Sequence, residues 1–199
     1  MFKDMIKKSI VKSQHCQRNW DLSKKIPDED LEVLATAVTA CPSKQNIVFY
    51  TPYFITDRST IEKIYENTDG FTVSYKDGTT QKNSQTLANL LVVFVNNSKY
   101  QPNNKEVVEQ KQDKLHVDKL LSVGVASGYL NLTASMLGYS TGCCTCFDSV
   151  AVQKILESDE KPMLLMGVGY ADSERQRRDH HNEDFKFPTF NKKMIVTKI

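Results

Sequence analysis

Leu90-Leu91-Val92-Val93-Phe94-Val95 is a run of six apolar residues without a polar break. A strand with one wet face alternates apolar and polar side chains, so an unbroken run of this length reads as a strand covered on both faces. The chain must therefore supply a layer on each side of it. Met163 to Val168, ending in Gly169, reads as a second such strand. With 199 residues, 40% of them hydrophobic and 25% charged, there is enough apolar material for a sizeable core, and one domain spanning residues 1–199 is expected. The 26 Lys+Arg against 24 Asp+Glu are too nearly balanced for a nucleic-acid-coating protein or a polyacid binder, so no nucleic-acid partner is expected.

Helical patterns supply the covering layers. Phe2, Met5, Ile6 and Ile10 fall on one face of an opening helix, with its lysines outside. Pro27 and the acidic turn Asp28-Glu29-Asp30 announce a second helix carrying Leu31, Leu34, Ala35 and Val38, since negative charge is favourable near a helix N-terminus. Ser59 to Asn67 reads as a short helix, His116 to Leu137 as a long one stopped by Gly138, and Ser149 to Glu157 as another short one. Ile47 to Thr56 is strand-like, but Pro52 pushes it to a sheet edge. Asp77-Gly78 signals a hairpin after Val73-Ser74-Tyr75, and Lys193 to Ile199 reads as a closing strand. Helices and strands alternate without a strict βαβ rhythm, and neither GxGxxG nor GxxxxGK[ST] occurs, so an α+β sandwich is the expected class.

The segment Leu120 to Tyr139 reaches membrane-spanning length but contains Ser122, Ser127, Asn131, Thr133 and Ser135. A buried or subunit-interface helix fits it better than a membrane span. The basic start, with seven Lys/Arg before residue 26, is not followed by an apolar signal run, so a cytoplasmic location is expected. Five cysteines without an export signal are expected to be reduced.

Four constellations carry candidate chemistry. Gln14-His15-Cys16-Gln17-Arg18-Asn19-Trp20 is either a solvated basic loop anchored by Trp20 or an anion grip, because Arg offers paired N–H donors to a phosphate. Cys41-Pro42-Ser43-Lys44-Gln45-Asn46 is either a helix-stopping loop or a set of hydrogen-bonding groups for a planar ligand. Gly142-Cys143-Cys144-Thr145-Cys146 contains a C-x-x-C spacing, open to redox or metal chemistry, but lacks a second pair and any H-x3-5-H; small buried cysteines are the other reading. The tail Arg175-Gln176-Arg177-Arg178-Asp179-His180-His181 is either a solvated charge run or a second clamp on the same anion.

In order and spacing these blocks resemble the nitroreductase family of FMN-dependent oxidoreductases. The family's Arg-[Arg/His]-Ser-x-[Arg/Lys]-x-[Phe/Trp] stretch is similar to residues 14–20, and its Ala-Pro-Ser-Ser-x-Asn to Ala40–Asn46 ahead of Phe49-Tyr50. Its long small-residue helix and glycine turn resemble Val123 to Gly138 and Gly142 to Asp148, and its strand ending in Gly-Tyr resembles Leu164 to Tyr170. The resemblance implies an α+β, three-layer sandwich with a mixed, mainly antiparallel central sheet flanked by helices. It also implies a homodimer with FMN at the subunit interface and a C-terminal extension, residues 171–199, exchanged between subunits. Hydride from NADH or NADPH would pass through FMN to a nitroaromatic, a quinone or a similar small flat electron acceptor; a dehydrogenase or dehalogenase reaction on the same fold is the alternative, and a non-catalytic cysteine-based redox or metal-binding protein is the rival outside it.

Carried over by position, His15, Cys16 and Arg18 would hold the FMN phosphate and ribityl chain. Pro42, Ser43, Lys44 and Asn46 would line the ring, partly from the other subunit, and Asn83 and Gln85 would meet its pyrimidine edge. The backbone at Cys144, Thr145 and Cys146 would face N5, with Arg175 and Arg177 near the phosphate. No metal and no side-chain acid or base is implied. Three positions depart from the pattern: Gln14 stands for the usual Arg, Cys16 for Ser and Cys146 for a frequent Gly. Losing the charge-assisted bond at position 14 is expected to weaken phosphate capture by ~1–3 kcal/mol, unless another cation substitutes.

Overall fold

The computed structural model describes residues 2–72, 76–99, 112–174 and 194–197. In chain order the elements are α1 (Phe2–Ser13), α2 (Asp28–Thr39), β1 (Tyr50–Ile55), α3 (Arg58–Glu66), β2 (Phe71–Thr72), β3 (Thr80–Gln81), β4 (Leu90–Asn96), α4 (Gln112–Met136), β5 (Ser140–Cys144), α5 (Ser149–Ile155) and β6 (Pro162–Gly169). Four strands form one sheet in the order β1-β4-β6-β5, and β2 and β3 pair separately. Every pairing in the larger sheet is antiparallel. Among the described residues, parallel pairing is confined to a single bridge between Cys16 and Thr141.

The apolar run forms β4, an inner strand in which Leu90 to Val95 are all buried. Because side chains alternate across a strand, the run divides between two cores. Leu90, Val92 and Phe94 pack with Leu34 and Val38 of α2 and with Val123, Ala126 and Leu130 of α4. Leu91, Val93 and Val95 pack with Ile61 and Ile64 of α3 and Val152 of α5. Three layers follow from that division, as expected for an α+β sandwich. Pro52 lies in β1 at one end of the sheet, where a missing N–H is tolerated.

Several expectations are refined. The long helix begins at Gln112, ahead of His116, and ends as expected before Gly138, whose φ of 96° suits glycine. Gly142 to Asp148, read from sequence as a glycine turn, begins inside the β5 strand Ser140–Cys144; the small, polar composition of that strand hides it from a search for β-branched residues. The opening helix forms, but its apolar ridge of Phe2, Met5 and Ile10 is exposed, while Ser9 is buried. The reason is a polar helix contact: Ser135 Oγ donates to the Ser9 carbonyl at 2.9 Å. In the expected hairpin, Gly78 adopts φ 72° between β2 and β3, and Val73-Ser74-Tyr75 lie outside the described residues. Residues 194–197 of the expected closing strand belong to no helix or strand, with Met194, Ile195 and Val196 exposed.

α4 is apolar nearly all round. Val123, Ala126, Leu130 and Ala134 face the core, whereas Val117, Leu121, Val125 and Tyr129 are exposed, Leu121 to 62%. Above Gly124 and Gly128 no atom lies within 4 Å of where a Cβ would stand. No described helix is long and apolar enough to cross a membrane.

Glycines of β5 and β6 set how closely the segment before β4 approaches the sheet. A Cβ on Gly167 would stand 2.1 Å from the Gln85 carbonyl oxygen, and one on Gly142 would stand 2.5 Å from the Gln85 Cβ. Replacing Gly167 with Ala is expected to destabilise the fold by at least ~1–3 kcal/mol, because backbone cannot retreat as a flexible side chain does. Urea unfolding of Gly167→Ala against the parent chain checks this.

Candidate functional site

The connector between α1 and α2 is tied to the β5 edge. Cys16 bridges Thr141, and the Gln17 N–H donates to the Thr141 carbonyl at 2.7 Å. The Gln17 side-chain oxygen then accepts from the N–H groups of Arg18 (2.8 Å) and Asn19 (3.1 Å), folding the next residues over it. Trp20 is buried and its Nε1 donates to the Ser84 carbonyl at 2.9 Å, which brings the connector against the turn Ser84–Thr86. Gln14 and His15 are exposed, while Cys16 and Arg18 are half-buried.

Three sequence blocks meet here. The Cys143 N–H donates to Cys16 Sγ at 3.3 Å, and Gln85 Nε2 donates to the Cys143 carbonyl at 3.1 Å. Cys143 is thus held from one side by the connector and from the other by the turn preceding β4. Gln85 is only 6% exposed, and its Oε1 is buried without a hydrogen-bond partner among the described residues. A buried acceptor left in that state costs free energy of about 1–3 kcal/mol, so it marks a place suited to an N–H or O–H donor. Asn83 is also buried, and its Nδ2 donates to the Asp69 carbonyl at 2.9 Å and to that of Cys146 at 3.4 Å.

Pro42, Ser43, Lys44 and Asn46 belong to a different part of the molecule. Their loop leads into β1, whereas Cys16 and Cys143 lie at β5, the opposite edge of a four-stranded sheet. Three inter-strand spacings of ~4.8 Å put the two edges about 14 Å apart. Lys44 Nζ is paired with Asp118 of α4 at 2.6 Å. Gln45 and Asn46 adopt φ of 53° and 57°, a left-handed pair uncommon outside glycine and found at ligand-facing loops. Ser43 and Asn46 line a cavity of about 480 Å³ with Cys41 and Tyr50. The Tyr50 hydroxyl donates to the Val38 carbonyl, and its burial, with the Cys41 thiol beside it at 3.1 Å, raises its pKa. Arg175, Arg177 and His180-His181 lie outside the described residues.

The cysteine cluster is divided by the strand. Cys143 and Cys144 point to opposite faces of β5, with Cys144 buried among α3 and α5 residues and Cys143 beside Cys16. All five cysteines are free thiols. Loss of hydration, then the neighbouring Cys16 and Cys144, pushes the Cys143 thiol up to about 12, although the residue keeps contact with solvent. Burial raises Cys144 to about 11. Such thiols are protonated at neutral pH and poor nucleophiles. Among the described residues no three His, Cys, Asp or Glu side chains come together as a metal site.

Sequence reading missed Asn89 and the glycines. Asn89 Nδ2 donates to the carbonyls of Asp21 and Lys24, both at 2.9 Å, and its Oδ1 accepts from the Tyr170 N–H at 3.0 Å, joining connector to β6. Glycines within strands, such as Gly142 and Gly167, were the available signal, since they mark close backbone approach.

The family model described as "Nitroreductase family" matches residues 11–170. The chain belongs to the nitroreductase family. Nitroreductase folds among solved structures agree with this. A nitroreductase family protein of Streptococcus pneumoniae superposes with a TM-score of 0.66 at 14% identity, covering 97% of this chain and 100% of its own. Nitroreductase A of Vibrio parahaemolyticus gives 0.69 at 15% identity, over 85% of this chain and 68% of its own. An Exiguobacterium sibiricum protein assigned to the nitroreductases and solved in complex with FMN gives 0.65 at 17% identity, over 90% of this chain and 92% of its own. No curated protein matches the chain.

Because the raised thiols hold their protons, alkylation of Cys143 and Cys144 in the native chain is expected to be at least ~tenfold slower at pH 7.5 than that of an unperturbed thiol, rising steeply only toward pH 11 and above. Site-resolved mass spectrometry after timed iodoacetamide treatment measures this. The same shift lowers stability with alkali: the folded state keeps a Cys144 proton that the unfolded chain releases, so unfolding free energy falls as pH climbs from the ordinary thiol value toward about 11.

Proposed function

We propose that this chain is an FMN-dependent oxidoreductase that passes hydride from NADH or NADPH to nitroaromatic, quinone or similar flat acceptors. The observation that carries the reading is the meeting of Cys16, Gln85 and Cys143 around a buried, unpartnered Gln85 oxygen. The group fits FMN. The flavin ring has an N–H for the Gln85 acceptor, and its phosphate suits a guanidinium such as that of half-buried Arg18. FMN, when bound, supplies the two-electron chemistry of its ring. The chain's own residues would bind and orient: Cys16 and Arg18 at the phosphate end with His15, Gln85 at the pyrimidine edge, and the backbone of Cys144, Thr145 and Cys146 toward the reacting edge. The N–H groups of Thr145 and Cys146 would be its donors, because Cys144 pairs with Leu165 in the sheet. Asn83, whose side-chain nitrogen is committed to the Asp69 and Cys146 carbonyls, stands behind that turn.

Membership of the family and its fold support a homodimer here, and so do the exposed apolar side chains of α1 and α4, Phe2, Met5, Ile10, Leu121 and Val125 among them. Two copies joined through that surface would bring the Pro42–Asn46 loop of one subunit to the β5 edge of the other, resolving the ~14 Å separation of the two groups within a subunit. The proposal takes residues 1–199 as one domain whose segment 171–199 is exchanged, Arg175 and Arg177 included, and places the enzyme in the cytoplasm. Against the cysteine-based reading, β5 directs Cys143 and Cys144 to opposite sides, so those two do not face one ion or one another.

The test is spectroscopic. Chain mixed with FMN is expected to retain it through gel filtration, to show the flavin absorption band and to bleach on addition of NADH or NADPH without air; a chain that retains no flavin overturns the reading. Gln85→Leu is expected to weaken FMN affinity by ~1–3 kcal/mol through loss of the acceptor, and Arg18→Ala by a similar amount, both read by fluorescence titration. Leu121→Glu, which places charge on the exposed face of α4, is expected to shift the chain to monomer in sedimentation velocity and to lose flavin with it.

A further inference from the structure

The turn that follows β5 is held from beneath by the buried side chains of Asn83 and Thr68. The Cys146 carbonyl accepts from the Asp69 N–H at 2.9 Å, from the Cys144 thiol at 3.5 Å and from Asn83 Nδ2 at 3.4 Å. The same Asn83 nitrogen donates to the Asp69 carbonyl at 2.9 Å, so one side chain ties both strands of the contact. Asn83 is fixed in turn by Thr68: its backbone N–H donates to Thr68 Oγ1 at 3.0 Å, and the Thr68 hydroxyl donates to the Tyr65 carbonyl at 2.8 Å. Thr68 also bridges Phe147, and the Asp148 N–H donates to the Asn67 carbonyl at 2.9 Å. On the outer side of this turn Thr145 and Cys146 are exposed.

We propose that Thr68 and Asn83 form a positioning pair that fixes the backbone N–H groups of Thr145 and Cys146, in the turn after β5, for the flavin. The inference rests on the flavin reading above, and it gives Asn83 a role other than the direct ring contact that the family resemblance implies. Its physical basis is preorganisation. Dipoles already aimed at the place where negative charge accumulates stabilise that charge without reorganising, and a turn free to rock loses the advantage. Thr68 is 4% exposed and bonded on both sides, so any influence it has on a bound flavin must pass through Asn83 and the turn. Groups that orient another group typically change its performance 10- to 100-fold when removed.

Thr68→Val keeps the shape and removes the hydroxyl; Thr68→Ser keeps the hydroxyl. In full-length, FMN-loaded chain, Thr68→Val and Asn83→Ala are each expected to weaken the hold on reduced FMN about tenfold more than that on oxidised FMN. That ratio corresponds to a midpoint potential ~30 mV more negative for a two-electron couple. The double variant should add little, and Thr68→Ser should match the parent. Amide exchange of Thr145 and Cys146 in flavin-free chain should quicken at least tenfold in Thr68→Val and remain at the parent rate in Thr68→Ser.

A shift in potential with Asn83→Ala but not with Thr68→Val overturns the pair and assigns Asn83 to direct contact. Unchanged exchange in Thr68→Val overturns it even if no flavin is present. A parent chain that takes up no FMN, with exchange responding as described, overturns the flavin reading and this use of the pair while leaving the mechanical coupling measured.

Discussion

Two-sided burial of β4 governs this molecule. Six successive side chains that exclude water require cover above and below, and no arrangement of fewer than three layers provides it. Once α2 and α4 occupy one face and α3 and α5 the other, the edges of the sheet are the places left where irregular backbone can reach solvent. Candidate chemistry accordingly gathers at the edges: the connector and Cys143 at β5, the Ser43–Asn46 loop before β1.

The β5 edge owes its compactness to missing side chains. Gly142 and Gly167 admit the Gln85 turn, and a methyl group at either would meet it well inside contact distance. Gly169 does the same for Asn89, whose two-way hydrogen bonding links connector and β6. Close approach then dries the region, which is why the Gln85 oxygen is both buried and unanswered among the described residues. A buried polar atom without a partner is unusual enough to demand a reason, and a ligand with a donor is the simplest.

Much of this was legible in the residues and some was not. β4, β6, the edge position of Pro52 and the helices α2, α3 and α5 follow from apolar spacing and turn residues, because in those elements local pattern and burial agree. The face of α1 was less legible: Phe2, Met5 and Ile10 follow the periodicity of a core-facing helix, yet they are exposed, and Ser9 is the buried residue of that helix. β5 was hidden because Ser140-Thr141-Gly142-Cys143-Cys144 has the composition of a turn and pairs only through tertiary context. The family resemblance assigns residues 14–20, 42–46, 83–85 and 142–146 to one site; within the chain Cys16 and Gln85 each bond to Cys143, while the loop at 42–46 lies at the other edge of the sheet. Thr68 had no local signal at all; its importance is a matter of which backbone groups happen to lie beside it.

Pro52 carries a consequence for behaviour at high concentration. It removes one donor from β1, at the end of the described sheet, where it faces Phe94 across the ladder. A ribbon from another molecule laid along that border meets a residue with no hydrogen to offer and a ring fixed near one dihedral value, so indefinite sheet growth is discouraged there. The fold thereby guards its most accessible border against fibre-like stacking with a single imino acid.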